Sequence, residues 1–153
     1  MSEASVQTAL QTLIQGMSEY GDSSVTIDDW SILDNLGEAA APFVIIGTSD
    51  TFVARKDTVS ENTRWDIPVT IFEVFTGWPE TLANLRTRRQ AIIDLLNTDG
   101  TQRSVGTSGV TIDVVRNDGL IEGYYDPYLS PEDASQALPI YLRQRLILEV
   151  EEF

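Results

Sequence analysis

The most concentrated group of basic side chains in the sequence lies on one short segment with helical spacing. Arg86, Arg88 and Arg89 fall together there, and Arg86 and Arg89 are one turn apart on nearly the same face. A guanidinium presents its N–H groups as a fork that matches a carboxylate, so the expected chemistry is recognition of an acidic group. That group is either Asp94 or Glu80 of the same chain or an acidic surface on a neighbouring copy.

A second group with binding potential is a set of tyrosines close to two prolines. Tyr124, Tyr125 and Tyr128 lie in a predicted loop with Pro127 and Pro131. Tyrosine rings cap the edges of cores, and they are also enriched in protein–protein interfaces. The sequence leaves both interpretations open.

Carboxylates are abundant, but none has the spacing of a metal site. If Gly100 were the invariant glycine of a calcium loop, the first and last ligand positions would be Leu95 and Gly106, which carry no carboxylate. Asp28 and Asp29 have no diagnostic spacing, so we predict surface charge and no metal. A hydrolase that uses two carboxylates is a minor alternative, because 24 acidic residues single out no pair.

The sequence contains no histidine and no cysteine. It therefore lacks nucleophile–imidazole pairs and the thiolate or imidazole ligands of zinc sites. The sequence has neither the phosphate-binding pattern that ends in Gly-Lys-Ser/Thr nor a Gly-x-Gly-x-x-Gly turn. The glycines at 106 and 109 are one residue too close for a nucleophile elbow. We predict no catalytic residue and no cofactor, and we expect a protein that is not an enzyme.

Length and charge narrow the function further. The 153 residues, of which 42% are hydrophobic, predict a single domain over 1–153 with one core. A net charge of −14 disfavours tight nucleic-acid binding, which needs concentrated lysine and arginine. No apolar run approaches the roughly 20 residues of a membrane helix, and the first residues do not resemble a secretory signal, so we expect cytoplasmic synthesis without membrane contact.

Apolar periodicity predicts an α+β fold. Helices are predicted over 3–17 and from Pro79 to about 96, with strands over 42–49, 65–75 and 138–150. These elements suit two main helices packed on an antiparallel or mixed sheet of at least four strands. Two polar residues interrupt the apolar alternation of the strands, namely Glu73 and Gln144.

Four local features carry more specific predictions. Asn117, Asp118 and Gly119 form a tight-turn signal inside an alternating segment, which predicts a β-hairpin there. Pro68 cannot donate a ladder hydrogen bond, so either its end of the strand is an edge or its nitrogen faces outward. The last strand is predicted to carry Leu138, Ile140 and Leu142 on its apolar face and Tyr141 on the other face. The polar segment 50–61 is either a hairpin arm or a loop.

The order of elements resembles that of the tail terminator, or tail completion, proteins of long-tailed bacteriophages. The resemblance rests on the N-terminal amphipathic helix, the apolar segment 42–46, the strand 65–71, the helix 82–96 and the closing segment 138–146. It covers most of the chain and consists of element order and apolar pattern.

The resemblance implies an α+β subunit of a hexameric ring in the virion. Such a ring caps the tail tube at the neck, stops its polymerisation and joins it to the head connector, after assembly in the host cytoplasm. DNA would pass through the lumen without specific binding, because an acidic lumen does not grip phosphates. The partners implied are further copies of the chain, the tail tube protein and the head-completion or connector protein.

The resemblance also suggests where the contacts lie. The segment 50–64 resembles the long projecting loop of the family, and its basic residues join those of the second helix as interface candidates. Together with the tyrosines, the residues expected at subunit or partner contacts are Arg55, Lys56, Arg64, Arg86, Arg89, Tyr124, Tyr125 and Tyr128.

Besides the hydrolase, two other functions are alternatives to the terminator. A head–tail adaptor or neck protein would share ring assembly but bind the portal side, and a small-ligand or regulatory α+β domain would be monomeric. Six copies of a 17.0 kDa chain give a particle of about 100 kDa, which separates a ring from a monomer when tail tube is present. Loss of a terminator should leave overlong tails, whereas loss of an adaptor should leave heads without tails.

Overall fold

A computed structural model describes most of the chain in nine helices and strands. The described residues are 3–18, 20, 24–31, 42–49, 52–56, 61–96, 103–104, 110–125 and 137–152; of 52–56, 61–64, 103–104, 110–111, 113–120 and 152, only the backbone is described. The elements are α1 (Glu3–Gln15), β1 (Val25–Ile27), β2 (Phe43–Ile46), β3 (Phe52–Lys56), β4 (Glu61–Val74), α2 (Trp78–Leu96), β5 (Arg103–Ser104), β6 (Val110–Tyr124) and β7 (Tyr141–Glu152).

All the described strands belong to one mixed sheet. Its order is β1-β2-β4-β7-β6-β5, and β3 also pairs with β4. β1 and β2 are parallel, whereas the other pairs are antiparallel. β2 and β3 pair with the two halves of one edge of β4, while β7 pairs along the other edge. The sheet and its two helices confirm the predicted α+β fold.

Both helices pack on the same face of the sheet, where the main core lies. Val6, Leu10 and Ile14 recur at fourth positions of α1 and are fully buried, as helical periodicity predicts. α1 contacts β1 and β2, whereas α2 contacts β4, β7 and β6. Each fully buried aliphatic side chain contributes roughly 1.5–3 kcal/mol, so this apolar stripe is the main attachment of α1.

The opposite face carries a smaller apolar cluster. Phe43 stacks on Phe72 with ring centroids 4.5 Å apart and meets Tyr141 edge-on at 5.3 Å. Tyr141 lies on the face that the alternation predicts, but this end of the face is apolar and buried. The predicted positions of Leu138 and Ile140 are wrong: β7 begins at Tyr141, Leu138 is 64% exposed, and Ile140 packs against this second cluster.

The predicted β-hairpin at positions 117–119 is also wrong. β6 is a single strand of 15 residues that pairs with β7 almost throughout. Its register shifts between Asp118, opposite Arg145, and Glu122, opposite Arg143, so the turn-forming residues lie at an irregularity within the strand. Long-range pairing with β7 overrides the local turn preference because it satisfies more backbone groups than a tight turn would.

Pro68 lies on β4 between the residues that pair with β2 and those that pair with β3. Its carbonyl accepts a hydrogen bond of 2.8 Å from the Gly47 N–H, just after β2 ends. The N–H and C=O of a strand residue point to the same side, so the proline nitrogen faces this junction, away from β7. The missing N–H of Pro68 therefore removes no hydrogen bond from the ladder between β4 and β7. A Cβ at Gly47 would lie only 2.9 Å from Pro68 Cγ, so the close approach requires glycine.

The segment 50–64, predicted as a projecting loop, is paired wherever the structure describes it. β3 and the start of β4 form a hairpin whose register runs from Phe52 opposite Trp65 to Lys56 opposite Glu61. The last described partner of β7 on β4 is Thr63, so among the described strands Glu61 and Asn62 pair with β3 alone. A hairpin arm is therefore the correct interpretation for these positions, and the rest of the segment lies outside the described residues.

Candidate interaction surface

The rotation of α2 against the sheet is set at its first turn. Pro79 follows the first helical residue, as predicted. The Thr81 N–H donates a hydrogen bond of 2.9 Å to the Gly77 carbonyl, and the buried Thr81 hydroxyl accepts one of 2.9 Å from the Thr76 N–H. These bonds tie the start of α2 to the end of β4. Together with the buried residues Leu85, Ile92 and Leu96, they fix which side of the helix faces the sheet.

Arg88 faces inward and pairs with Glu73 of β4. Its Nε lies 2.6 Å from Glu73 Oε2, and the two side chains are 22% and 7% exposed. Burial raises the pKa of the Glu73 carboxyl, and the neighbouring guanidinium opposes that rise without cancelling it. Glu73 is the residue that interrupts the apolar alternation of its strand, and this contact is the reason that it can be buried.

Arg89 also faces inward, toward β7. Its Nη1 donates a hydrogen bond of 2.8 Å to Gln144 Oε1, so the second polar interruption of the sheet is explained in the same way. The predicted intrachain partners of the arginines were Asp94 and Glu80, and the observed partners are instead on the sheet. Asp94 accepts a hydrogen bond of 2.8 Å from Gln90 on its own helix.

Arg86 is the arginine of this group that faces solvent. Its side chain is exposed and makes no hydrogen bond or ion pair with the described residues. It lies beside a shallow depression of about 530 Å³ whose described lining is Arg86, Thr87, Arg89, Gln90, Ala91 and Asp94. Of the two predicted interface arginines on α2, only Arg86 therefore has its charge available to a partner; Arg89 holds the helix to the sheet.

The predicted tyrosine group divides in the structure. Tyr124 ends β6, is half-buried, and has its ring 6.5 Å from that of Tyr141. Tyr125 is 44% exposed. Tyr128 lies outside the described residues. Within the described part of the chain, Tyr124 packs against the second apolar cluster, whereas Tyr125 is the tyrosine of the group that is exposed to a partner protein.

The other basic candidates lie on the β3–β4 hairpin. In the backbone register, Arg55 is opposite Asn62, Lys56 is opposite Glu61, and Arg64 lies between Val53 and Glu151 on the neighbouring strands. Arg64 and Glu73 are nine positions apart on β4, which corresponds to about 30 Å of extended chain. In the backbone, Arg64 therefore lies far along β4 from the position at which Arg88 of α2 meets the sheet.

Sequence analysis missed an exposed turn after β1. Asp28 has a φ of 51°, and its Oδ2 accepts hydrogen bonds from Thr48 Oγ1 at 2.6 Å and Gln7 Nε2 at 3.3 Å. The next two residues, Asp29 and Trp30, are exposed, and Trp30 is 43% accessible while its ring meets Phe72 edge-on at 6.2 Å. The available signal was a tryptophan directly after two aspartates.

Asp29 is a stable anion in this turn. Its Oδ1 accepts a hydrogen bond of 2.6 Å from the Ser31 hydroxyl and another of 3.0 Å from the Ser31 N–H. These two bonds lower the pKa of the Asp29 carboxyl, because they favour its charged form. The turn therefore presents a fixed negative charge next to a partly exposed indole.

The described residues contain no group of three acidic, histidine or cysteine side chains arranged to hold a metal ion. Neither described helix is both long and apolar enough to cross a membrane. No protein-family model matches the sequence, and no curated protein is significantly similar to it.

Proposed function

We propose that this protein acts by binding other proteins as a subunit of a ring in the neck of a long-tailed bacteriophage, where it is the tail terminator. The observation that carries this proposal is the exposure of large apolar side chains on a strongly acidic chain. Trp30, Trp78 and Tyr125 are 43%, 46% and 44% exposed, and Leu138 is 64% exposed. Aromatic residues of this kind anchor protein–protein contacts.

The fold and the charge support the proposal. The elements occur along the chain in the order on which the resemblance to tail terminators rests, from an amphipathic helix to a long closing strand. Arg88 and Arg89 bind side chains of the sheet, so these two residues attach α2 to the sheet. A net charge of −14 suits a ring whose lumen lets DNA pass without binding it.

The test is the growth of tail tubes in the presence of this protein. Added while tube protein polymerises, the chain should bind tube ends, shorten the mean tube length and appear in electron micrographs as a terminal ring of about 100 kDa. The same amount added after growth has finished controls for tube breakage and should leave lengths unchanged. Tubes that grow to their usual length with bare ends would reject the terminator role.

A virion test separates the terminator from the head-side adaptor. Removal of the protein should give overlong tails if it terminates the tube. Normal tails that fail to join heads would assign it to the adaptor instead.

A further inference from the structure

We infer that copies of this chain contact one another head to tail, with the Asp29–Trp30 turn of one copy seated on the outward face of α2, at Arg86, of the next. The inference rests on the proposed ring function, and it names the two surfaces that would join the subunits. Trp30 on the first surface and Arg86 on the second are both exposed in the described part of the chain.

The two surfaces lie on different flanks of the subunit. The turn follows β1, which is the first strand in the sheet order, and α1 covers that flank. α2 packs instead over β4, β7 and β6. A contact between different patches on different flanks is heterologous, so it repeats from copy to copy and produces a ring when the rotation closes.

Hydrogen bonds and a ring contact hold the turn in place. The bonds from Ser31 to Asp29 and from Thr48 to Asp28 hold its backbone, and the edge contact with Phe72 holds the Trp30 ring. A preorganised tryptophan loses little conformational entropy on binding, and tryptophan is among the residues that most often dominate interface energies. The Asp29 carboxylate beside it adds a directional negative group.

The outward face of α2 offers complementary chemistry. The guanidinium of Arg86 has no partner among the described residues, so it can take a carboxylate through two N–H groups and also stack on an indole face. The adjoining depression of about 530 Å³ is large enough for an aromatic side chain. Asp94, the acidic residue of the lining, is held by Gln90.

Charge distribution along the chain favours this pairing over a like-with-like contact. The segment 1–54 contains eight acidic residues and no basic one, and the first basic residue of the sequence is Arg55. Two copies that met through their Asp29–Trp30 turns would bring their exposed Asp29 carboxylates together. Meeting the arginine-bearing face of α2 replaces that repulsion with attraction.

The absence of cysteine from the sequence allows a direct test by disulfide trapping. Ser31 and Thr87 are exposed and lie on the two surfaces. A cysteine at position 31 loses the hydroxyl bond to Asp29 but keeps the N–H bond of 3.0 Å that also holds the turn. The full chain carrying both Ser31→Cys and Thr87→Cys should give a ladder of covalent oligomers under mild oxidation, because each copy has one thiol for each neighbour. Each single variant should stop at the monomer or a minor dimer. The pair Thr8→Cys and Thr87→Cys, which moves one thiol to the exposed side of α1, should give no ladder.

A charge exchange tests the chemistry of the contact. In the chain with both cysteines, Arg86→Glu or Asp29→Arg alone should reduce the yield of oligomers by about tenfold or more, since each places like charges opposite one another. The two changes together should restore the ladder. Arg143→Glu is the matched control, because it makes the same charge change at the exposed Arg143–Glu122 pair, whose atoms are 2.9 Å apart.

The inference is overturned if the chain with both cysteines yields no more oligomer than the single variants, or if the exchanged charges fail to restore it. These outcomes leave the proposed function intact when wild-type protein still forms rings on tail tubes. Conversely, a ladder from a protein that never binds tube ends would support the contact and reject the terminator function.

Discussion

Arg86, Arg88 and Arg89 have the same side chain and lie within four positions of one helix, yet two of them contact the sheet and the third faces solvent. Arg88 and Arg89 reach the sheet, where they meet a buried carboxylate at 2.6 Å and a buried amide at 2.8 Å. Arg86 faces water and has no such partner among the described residues. Residue type alone therefore does not mark an interface; the side of the helix on which each arginine lies separates a structural contact from a surface available for binding.

The largest effect on stability is expected from Arg88→Ala. This change leaves the Glu73 carboxyl, 7% exposed, without its guanidinium, and should lower the free energy of unfolding by about 2–3 kcal/mol. Urea denaturation followed by tryptophan fluorescence measures it, and Arg88→Lys, which keeps the charge, should recover part of the loss. An unchanged midpoint would mean that this pair does not hold α2.

A smaller effect is expected from the pH dependence of the same contact. Burial raises the pKa of Glu73 above its ordinary value of 4.5, so the folded chain holds this proton more tightly than the unfolded chain. The free energy of unfolding of the wild type should therefore fall relative to that of Glu73→Gln as the pH rises from below 4.5 through the folded pKa, and the difference should then level off.

Glu80→Gln removes a carboxylate from an exposed position of α2 and controls for the change in net charge. If the wild type instead gained stability relative to Glu73→Gln over this range, the attraction of Arg88 would outweigh burial. The direction of the pKa shift would then be reversed.

The smallest effect on stability is expected from Arg86→Glu. An exposed side chain without an intrachain partner should change the free energy of unfolding by no more than about 0.5 kcal/mol. The same urea titration compares it directly with Arg88→Ala. A loss as large as that of Arg88→Ala would show that the outward face also supports the fold, and the contrast between the two sides of α2 would disappear.

Most of the fold was predictable because its signals are local. Helical spacing in α1, the proline start of α2 and the β-branched run of β2 each depend on residues close in sequence, and the structure confirms all three. The interruptions at Glu73 and Gln144 were visible as well. Their partners were not, because a residue's neighbours across a helix–sheet contact depend on how the helix is rotated.

The candidate surface was less predictable. Arg86 was identified from its charge, but Arg89 was assigned to the same surface because both occur on nearly the same helical face. Trp30 was missed because it follows a three-residue strand and belongs to no periodic pattern, so its exposure depends on the placement of the surrounding chain.

By itself the amino-acid sequence determined which reactive side chains are available, the net charge, and the spacing of apolar residues in each main helix and strand. These are properties of composition and of residues near one another. Tertiary structure alone decided that a turn-forming sequence continues as strand β6, that Tyr141 is buried, and that two arginines of α2 turn inward while a third faces solvent. The physical reason is that burial and pairing are set by contacts between residues distant in sequence, and their combined energy exceeds the local preferences that sequence patterns report.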